Sequence, residues 1–446
     1  MPAAHADLCI EARWIVPMST RGAVLEHYAV VVRDGRILDV LSAELAAQRY
    51  SCTVTVRRPG HLLMPGMVNA NTHAATSLFR GLRALVAPPE GRTIGAEFAR
   101  DGILAAIAEM LRSGITCFAD RGFFPHEAAR AAADQGMRIV IGMPVTEASG
   151  SSAQDGAGYL TAGLNVRDEY RGHPLISTVF APHRAAALSD AALARTAALA
   201  DELDAGIVVD LHESAAEIAE SIARHGARPL ERIWNLGLLT PALRAVHMVH
   251  ATAPDIDLAR RCGIALSLCP QSSLKRGCGL PAIGALAASG IRLSLGSGGG
   301  GADQPQDIWS EMKLFALLLR GARESQGARE SQAAHESHSA VDSHAAWDAL
   351  AVATCGGAAA LGVDAEVGAL EPGKWADMCC VDLGGPATQP MSDPVTQLVY
   401  CAARDDVSDV WVAGRQLLSS GEFTRLEWPA VAARANAWAS RFNTGE

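Results

Sequence analysis

The chain has 446 residues, of which 49% are hydrophobic and 19% charged, and its formal net charge is -10. That composition describes a globular protein with material for a large core, and the acidic balance disfavours nucleic acid or an anionic membrane as partner, because both need a basic face. A small molecule is the expected partner.

Met1 to Ile10 has neither the basic start nor the apolar run of a signal peptide, and no later stretch is long and apolar enough to span a bilayer. The cysteines are scattered without a C-x-x-C pair, so they are expected to be reduced, buried thiols in a cytoplasmic protein. Along the chain, residues 7–60 read as short strands with turns. "ARWIVPM" and "YAVVVRDGRILDVL" are β-branched runs, and Asp34-Gly35 is a hairpin signal. The same pattern returns in "GALEPGKWADMCCVDL" and "VSDVWVAGRQLL". Two β-rich ends around an α/β middle predict that the ends meet in one small sheet domain.

The middle alternates between strands and helices. Eight apolar runs, "LLMPGMVNA", "ITCFAD", "RIVIGMP", "LISTVFAP", "GIVVDLHE", "RAVHMVH", "IALSLCP" and "IRLSLGS", are separated by Ala-rich amphipathic stretches such as 101–112 and 190–203. This pattern predicts an α/β fold, a (β/α)8 TIM-type barrel over 61–365 with a small β-sandwich domain from 1–60 and 366–424, and a C-terminal helix over 425–446. In such barrels the chemistry sits where strands end, so the polar residues closing each run are the ones to weigh. The tract 321–344, with a tandem GARESQ and His335, His338 and His344, reads as a polar helix extension and solvated loop, and no function is assigned to it.

Over nearly its whole length the chain resembles the amidohydrolase superfamily. The resemblance is carried by "LLMPGMVNANTHAATSLFRGL", "AEMLRSGITCFAD", "APH", "DLHESAAEI", "AVHMVH", "CPQSSLK" and "LEPGKWADMCCVDL". The most similar branch holds the S-adenosylhomocysteine and methylthioadenosine deaminases and the triazine hydrolases. The resemblance implies one divalent metal, zinc or iron, held by an H-x-H pair after the first strand, a histidine after the fifth and an aspartate after the eighth. A histidine after the sixth strand and a glutamate after the fifth would handle protons. Such an ion lowers the pKa of a bound water to near neutrality.

Carried over residue by residue, the ligand positions depart from that pattern. The H-x-H is Asn71-Thr72-His73, the fifth-strand position is Asp210, and the eighth-strand aspartate is Gly298. The proton-handling positions remain as His247 and Glu213, and a substrate-binding histidine of the family matches His183. The expectation is therefore a degraded metal site with no cofactor, zinc or iron entering only if the site is rebuilt. Asp210, Glu213, His247 and His73 are the expected catalytic groups, by acid–base chemistry. His183, Asn71, Ser272, Gly298 and Asp303 are the expected substrate contacts. His212 and His250 alternate with the motif positions and are expected to be structural, while "RALVAPPEGRTIGA" is read as an altered pocket cover.

Three functions stay open on these residues. One is an enzyme acting on a small nitrogen-containing substrate without the family's metal, by C–N hydrolysis or a non-hydrolytic rearrangement. Another is a non-catalytic ligand-binding or scaffold member, and the third is a conventional metal-dependent C–N hydrolase with a rebuilt site. From the resemblance, a homo-oligomer (dimer or tetramer) is expected.

Overall fold

Eight parallel strands wind through the middle of the chain in sequence order. A computed structural model of the protein describes residues 3–80, 95–147, 156–299, 305–330 and 338–444. The strands are β5 (Met67–Thr72), β6 (Ile115–Asp120), β7 (Arg138–Val145), β8 (Ile176–Pro182), β9 (Ile207–Leu211), β10 (Leu243–His247), β11 (Ala265–Leu268) and β12 (Arg292–Leu295), following β1–β4 introduced below. Each pairs in parallel with the next, and the ring is drawn together by a bridge between Thr72 and Gly298. All eight expected runs reach strands of this barrel, although Leu62–Pro65 of the first belong to β4 of the second sheet. Their inward-facing residues are mostly small or β-branched: Val68, Ala70, Cys117, Ala119 and Val140 form one packed group, and Ala181, Val208, Val246 and Cys269 another. Such residues fill a barrel interior densely enough to leave a packed core rather than a pore.

Both chain ends build the second sheet, of eight strands. β1 (Ala4–Ile15), β2 (Leu25–Arg33), β3 (Arg36–Ser42) and β4 (Tyr50–Pro65) come from the start of the chain, and β13 (Met378–Asp382), β14 (Val407–Val412), β15 (Arg415–Ser419) and β16 (Glu422–Phe423) from its end. The sheet order is β16-β15-β14-β13-β4-β1-β2-β3, so β4 sits between β13 and β1, parallel to β1 and antiparallel to β13. β4 then passes through Gly66 into β5, which couples the small sheet to the first barrel strand. Arg138 at the start of β7 reaches across to Asp377 at 2.7 Å and adds a buried ion pair to that junction.

The C-terminal helix, Trp428–Thr444, closes over the helix Ala96–Arg112. Arg434 and Trp438 both donate to the buried Asp101, and Phe442 and Trp438 pack their rings on Phe98. No described helix is long and apolar enough to cross a membrane, and all ten cysteines are free thiols. The helix Ile308–Glu330 runs on into the GARESQ tract as a helix extension. His335 and residues 83–94 of the stretch read as a pocket cover lie outside the described residues.

Candidate active site

The parallel barrel delivers the C-terminal ends of its strands to one face, and each strand contributes the residue that follows its last apolar position. Asn71 and His73 end β5, Arg121 follows β6, His183 follows β8, Asp210 and Glu213 come from the end of β9, and His247 closes β10. The β-strand pairing places Val246 beside Asp210 and His247 beside Leu211, so these two ends are in register.

Arg121 is the hub of this cluster, and the sequence reading passed over it. Its side chain is 5% exposed. One guanidinium NH2 donates to Asp210 Oδ1 at 2.6 Å, and Nε donates to Asn71 Oδ1 at 2.7 Å. Asn71 in turn points its Nδ2 at Cys269 Sγ, 3.6 Å away. The only available signal was positional, because Arg121 directly follows the polar end of "ITCFAD". Asp120 itself is turned to structure: it accepts from the Ala74 amide at 2.7 Å and from Thr72 Oγ1 at 3.3 Å, fixing the turn that carries His73.

His247 sits between two carboxylates. Its Nε2 lies 3.5 Å from both Asp210 Oδ1 and Glu213 Oε1. Its Nδ1 is buried without a hydrogen-bond partner in the described structure. The backbone there is left-handed, with φ of 75° at His247 and 50° at Met248. Such conformations cost on the order of 1–3 kcal/mol for a non-glycine residue and cluster at functional sites. Glu213 is also paired with Arg276 at 2.5 Å, a residue whose side chain reaches solvent. The Glu213 amide donates to Glu217 Oε2 at 2.7 Å, so the first turn of helix Ala215–His225 holds the strand end in place. Burial pushes the Glu217 carboxyl up to about 7.

Charge and burial divide the cluster into ionised and neutral groups. Burial would raise the Asp210 carboxyl, but Arg121, with His247 and His73, holds it well below the usual carboxylate range. His73 is pushed down to about 3, first by burial and then by the Arg121 charge. Burial also lowers His247 and His183. Near neutral pH the site therefore presents one tightly paired Arg–Asp unit surrounded by neutral imidazoles. His183 stands edge-on to Phe123, ring centroids 5.1 Å apart, and Phe123 packs on Tyr159, which makes an aromatic wall.

The eighth-strand loop is closed down on this cluster. A Cβ at Gly298 would meet Ser272 Oγ at 2.6 Å, and one at Gly299 would meet the His73 ring at 2.4 Å. Gly298 also has φ of 75°. The two glycines thus permit a close backbone approach, and the Gly298 amide donates to the Asn71 carbonyl. Ser272 is covered by that loop and 3% exposed. Asp303 lies outside the described residues. His212 faces away from the cluster, accepting from the Leu230 amide at 3.1 Å and standing 3.5 Å from Asp255, a structural position as expected.

Comparison with known proteins gives one consistent picture. Residues 62–417 match the Amidohydrolase family. The chain is 37% identical to a 5-methylthioadenosine/S-adenosylhomocysteine deaminase of Teredinibacter turnerae, covering 97% of each chain. The structure superposes with a TM-score of 0.91 on an adenosine deaminase from Xanthomonas campestris with bound zinc, at 36% identity and over 99% of this chain and 100% of that one. An atrazine chlorohydrolase from Arthrobacter aurescens complexed with zinc shares the fold at a TM-score of 0.82 and 19% identity, over 97% of this chain and 99% of that one.

These neighbours correct one expectation. The sequence reading took the changed ligand positions to mean that no cofactor belongs here, whereas the zinc-bound structure at 36% identity points to a metal cofactor. The described donors do not, however, fit an ion in this arrangement. Arg121 engages both Asn71 Oδ1 and Asp210 Oδ1, and among the described residues no three His, Cys, Asp or Glu side chains are grouped to hold a metal.

Proposed function

This chain belongs to the amidohydrolase family, and from that premise we propose that it hydrolyses a carbon–nitrogen bond in a small nitrogen heterocycle, removing an exocyclic amino group as ammonia. An adenosine-class substrate is the reading that the names of the deaminase relatives support. The observation that carries the reading is the placement of His247 Nε2 at 3.5 Å from both Asp210 and Glu213, at the barrel face where strand ends meet.

In the reaction, water adds to the ring carbon bearing the amino group, the carbon–nitrogen bond breaks, and a carbonyl remains. Glu213 is the group that takes the water proton and returns one to the leaving nitrogen. His247, held neutral by burial, donates or accepts at the oxygen through Nε2. Separations of 3.5 Å in the unliganded site tighten once a reacting group lies between the partners. Arg121 keeps Asp210 ionised, and that fixed charge orients His247 and His73. His183 and the Phe123 wall offer an edge and a face to a planar heterocycle.

A second reading, a ligand-binding member without turnover, is favoured by the closure of Arg121 on Asp210 and Asn71. Ammonia release from a panel of adenine nucleosides, with Glu213→Gln as comparison, separates the two. Turnover that Glu213→Gln abolishes supports the enzyme, while substrate binding without ammonia supports the second reading.

A further inference from the structure

At the opposite end of the barrel, where the strands begin, lies a cavity of about 720 Å3. It is framed by the starts of β8 to β12 and by the end of the helix Cys355–Leu361. Four arginines line it, Arg167, Arg171, Arg244 and Arg292, against two carboxylates, Glu202 and Asp204.

Arg244 is the unusual member. It is 4% exposed, and its Nε and NH2 are buried with no hydrogen-bond partner among the described residues. A buried guanidinium with idle donors is costly, and buried charges are normally paired. No ion pair of Arg244 is found among the described residues. The side chains that act on it electrostatically are Arg121 and the thiols of Cys117 and Cys269. Burial pushes the Cys117 thiol up to about 12 and raises Cys269 as well, so neither supplies a thiolate. Burial and the Arg121 charge lower Arg244 to about 9, which still leaves it a cation near neutral pH.

The rim adds two arginines, Arg167 and Arg292, that form no ion pair among the described residues. Arg292 spends its NH2 on the carbonyls of Pro241 and Gly263, at 3.0 and 2.6 Å. Arg167 donates to Thr178 Oγ1 at 3.1 Å and to the Leu203 carbonyl. Carbonyl and hydroxyl partners fix the direction of a guanidinium and leave its charge in place. Among the described residues, Arg171 is the one rim arginine paired with a carboxylate, Asp168 at 2.7 Å.

We propose that this cavity is an oxyanion-binding site, in which Arg244 offers its idle donors to a phosphate or carboxylate group and Arg167 and Arg292 add charge at the entrance. A forked guanidinium matches those planar or tetrahedral oxygens better than it matches chloride. The cavity lies at the end of the barrel opposite the catalytic strand ends, and the proposal does not rest on the proposed activity.

The test is thermal unfolding and calorimetry of the full chain with inorganic phosphate or acetate, at constant ionic strength made up with sodium chloride. Phosphate at a hundredfold excess over its Kd should raise Tm by about 3 °C for a protein of this size. Arg244→Met should abolish that rise and weaken binding at least tenfold. Arg292→Gln, a change at an exposed side chain, should weaken it severalfold, and it decides the matter if Arg244→Met does not fold. Glu213→Gln should keep the full response. A response to acetate alone would assign the site to carboxylates, and one to phosphate alone to phosphates. The proposal is overturned if neither anion acts beyond chloride, or if both arginine variants respond as the parent does.

Discussion

Replacing Arg121 by Gln is the sharpest perturbation of the candidate site. Arg121 is almost fully buried, and its NH2 lies 2.6 Å from an Asp210 carboxylate that is 23% exposed. Removing one partner of a buried pair costs about 3–5 kcal/mol, because the other charge is left uncompensated. Water reaches Asp210 in part, so the expected loss is near the lower end, about 3 kcal/mol. Asp210→Asn alone strands the guanidinium and should cost a similar amount. The double variant Arg121→Gln/Asp210→Asn leaves neither charge behind, and its loss should fall short of the sum of the single losses by about 2 kcal/mol or more. Urea unfolding of all four proteins at pH 7 reads this coupling. The pH dependence gives a second check. Asp210 is depressed in the folded state, so its contribution is complete above its unfolded pKa of about 4 and is lost as pH falls below that value. The gap between parent and Arg121→Gln should therefore narrow below about pH 4. Losses that add to within about 0.5 kcal/mol would refute the reasoning, since the two residues would then be energetically independent.

Other consequences can be measured alongside. A zinc ion that uses Asp210 must displace Arg121, so Arg121→Gln should bind zinc at least tenfold more tightly than the parent in competition with a fluorescent chelator; equal affinities would place the ion elsewhere. His73→Gln should flatten the stability profile between about pH 6.5 and 3 by close to one proton, about 1.4 kcal/mol per pH unit, because the depressed imidazole loses stability as pH falls through that window. Glu311 is raised to about 8 by burial, so its contribution is present below about pH 4.5 and lost as pH rises towards 8; Glu311→Gln should remove that loss in urea unfolding at pH 8 against pH 5. An unchanged slope would mean that Glu311 is ionised in the folded protein at neutral pH.

Much of the barrel was legible because each of its strands is a short apolar run closed by a polar residue, and the family resemblance pointed to Asp210, Glu213, His247 and His73 among those strand ends. His212 does turn to Leu230 and Asp255, because β9 ends at Leu211 and His212 takes a left-handed φ of 54°. What stayed hidden depends on contacts between distant segments. Arg121 and Asp210 are 89 residues apart, and nothing local in "ADRG" marks the arginine as their link. The closure of Gly298 on Ser272 is likewise a matter of three-dimensional space, which a glycine in a sequence shows only as permission. The placement of β4 between β1 and β13 depends on pairing across the whole chain, and the hairpin signals near either end carry no trace of it. Arg244 reads in sequence as one more strand residue, and only the barrel shows that its donors face no acceptor.

The most direct test of the catalytic reading is ammonia release by the purified chain, supplied with zinc and offered adenosine and its 5′-thio and homocysteine derivatives, beside Glu213→Gln of unchanged fold. The account predicts release from at least one of them, reduced about 10²- to 10⁴-fold in the variant. No release from any of them by the folded parent, or equal release by Glu213→Gln, would contradict it.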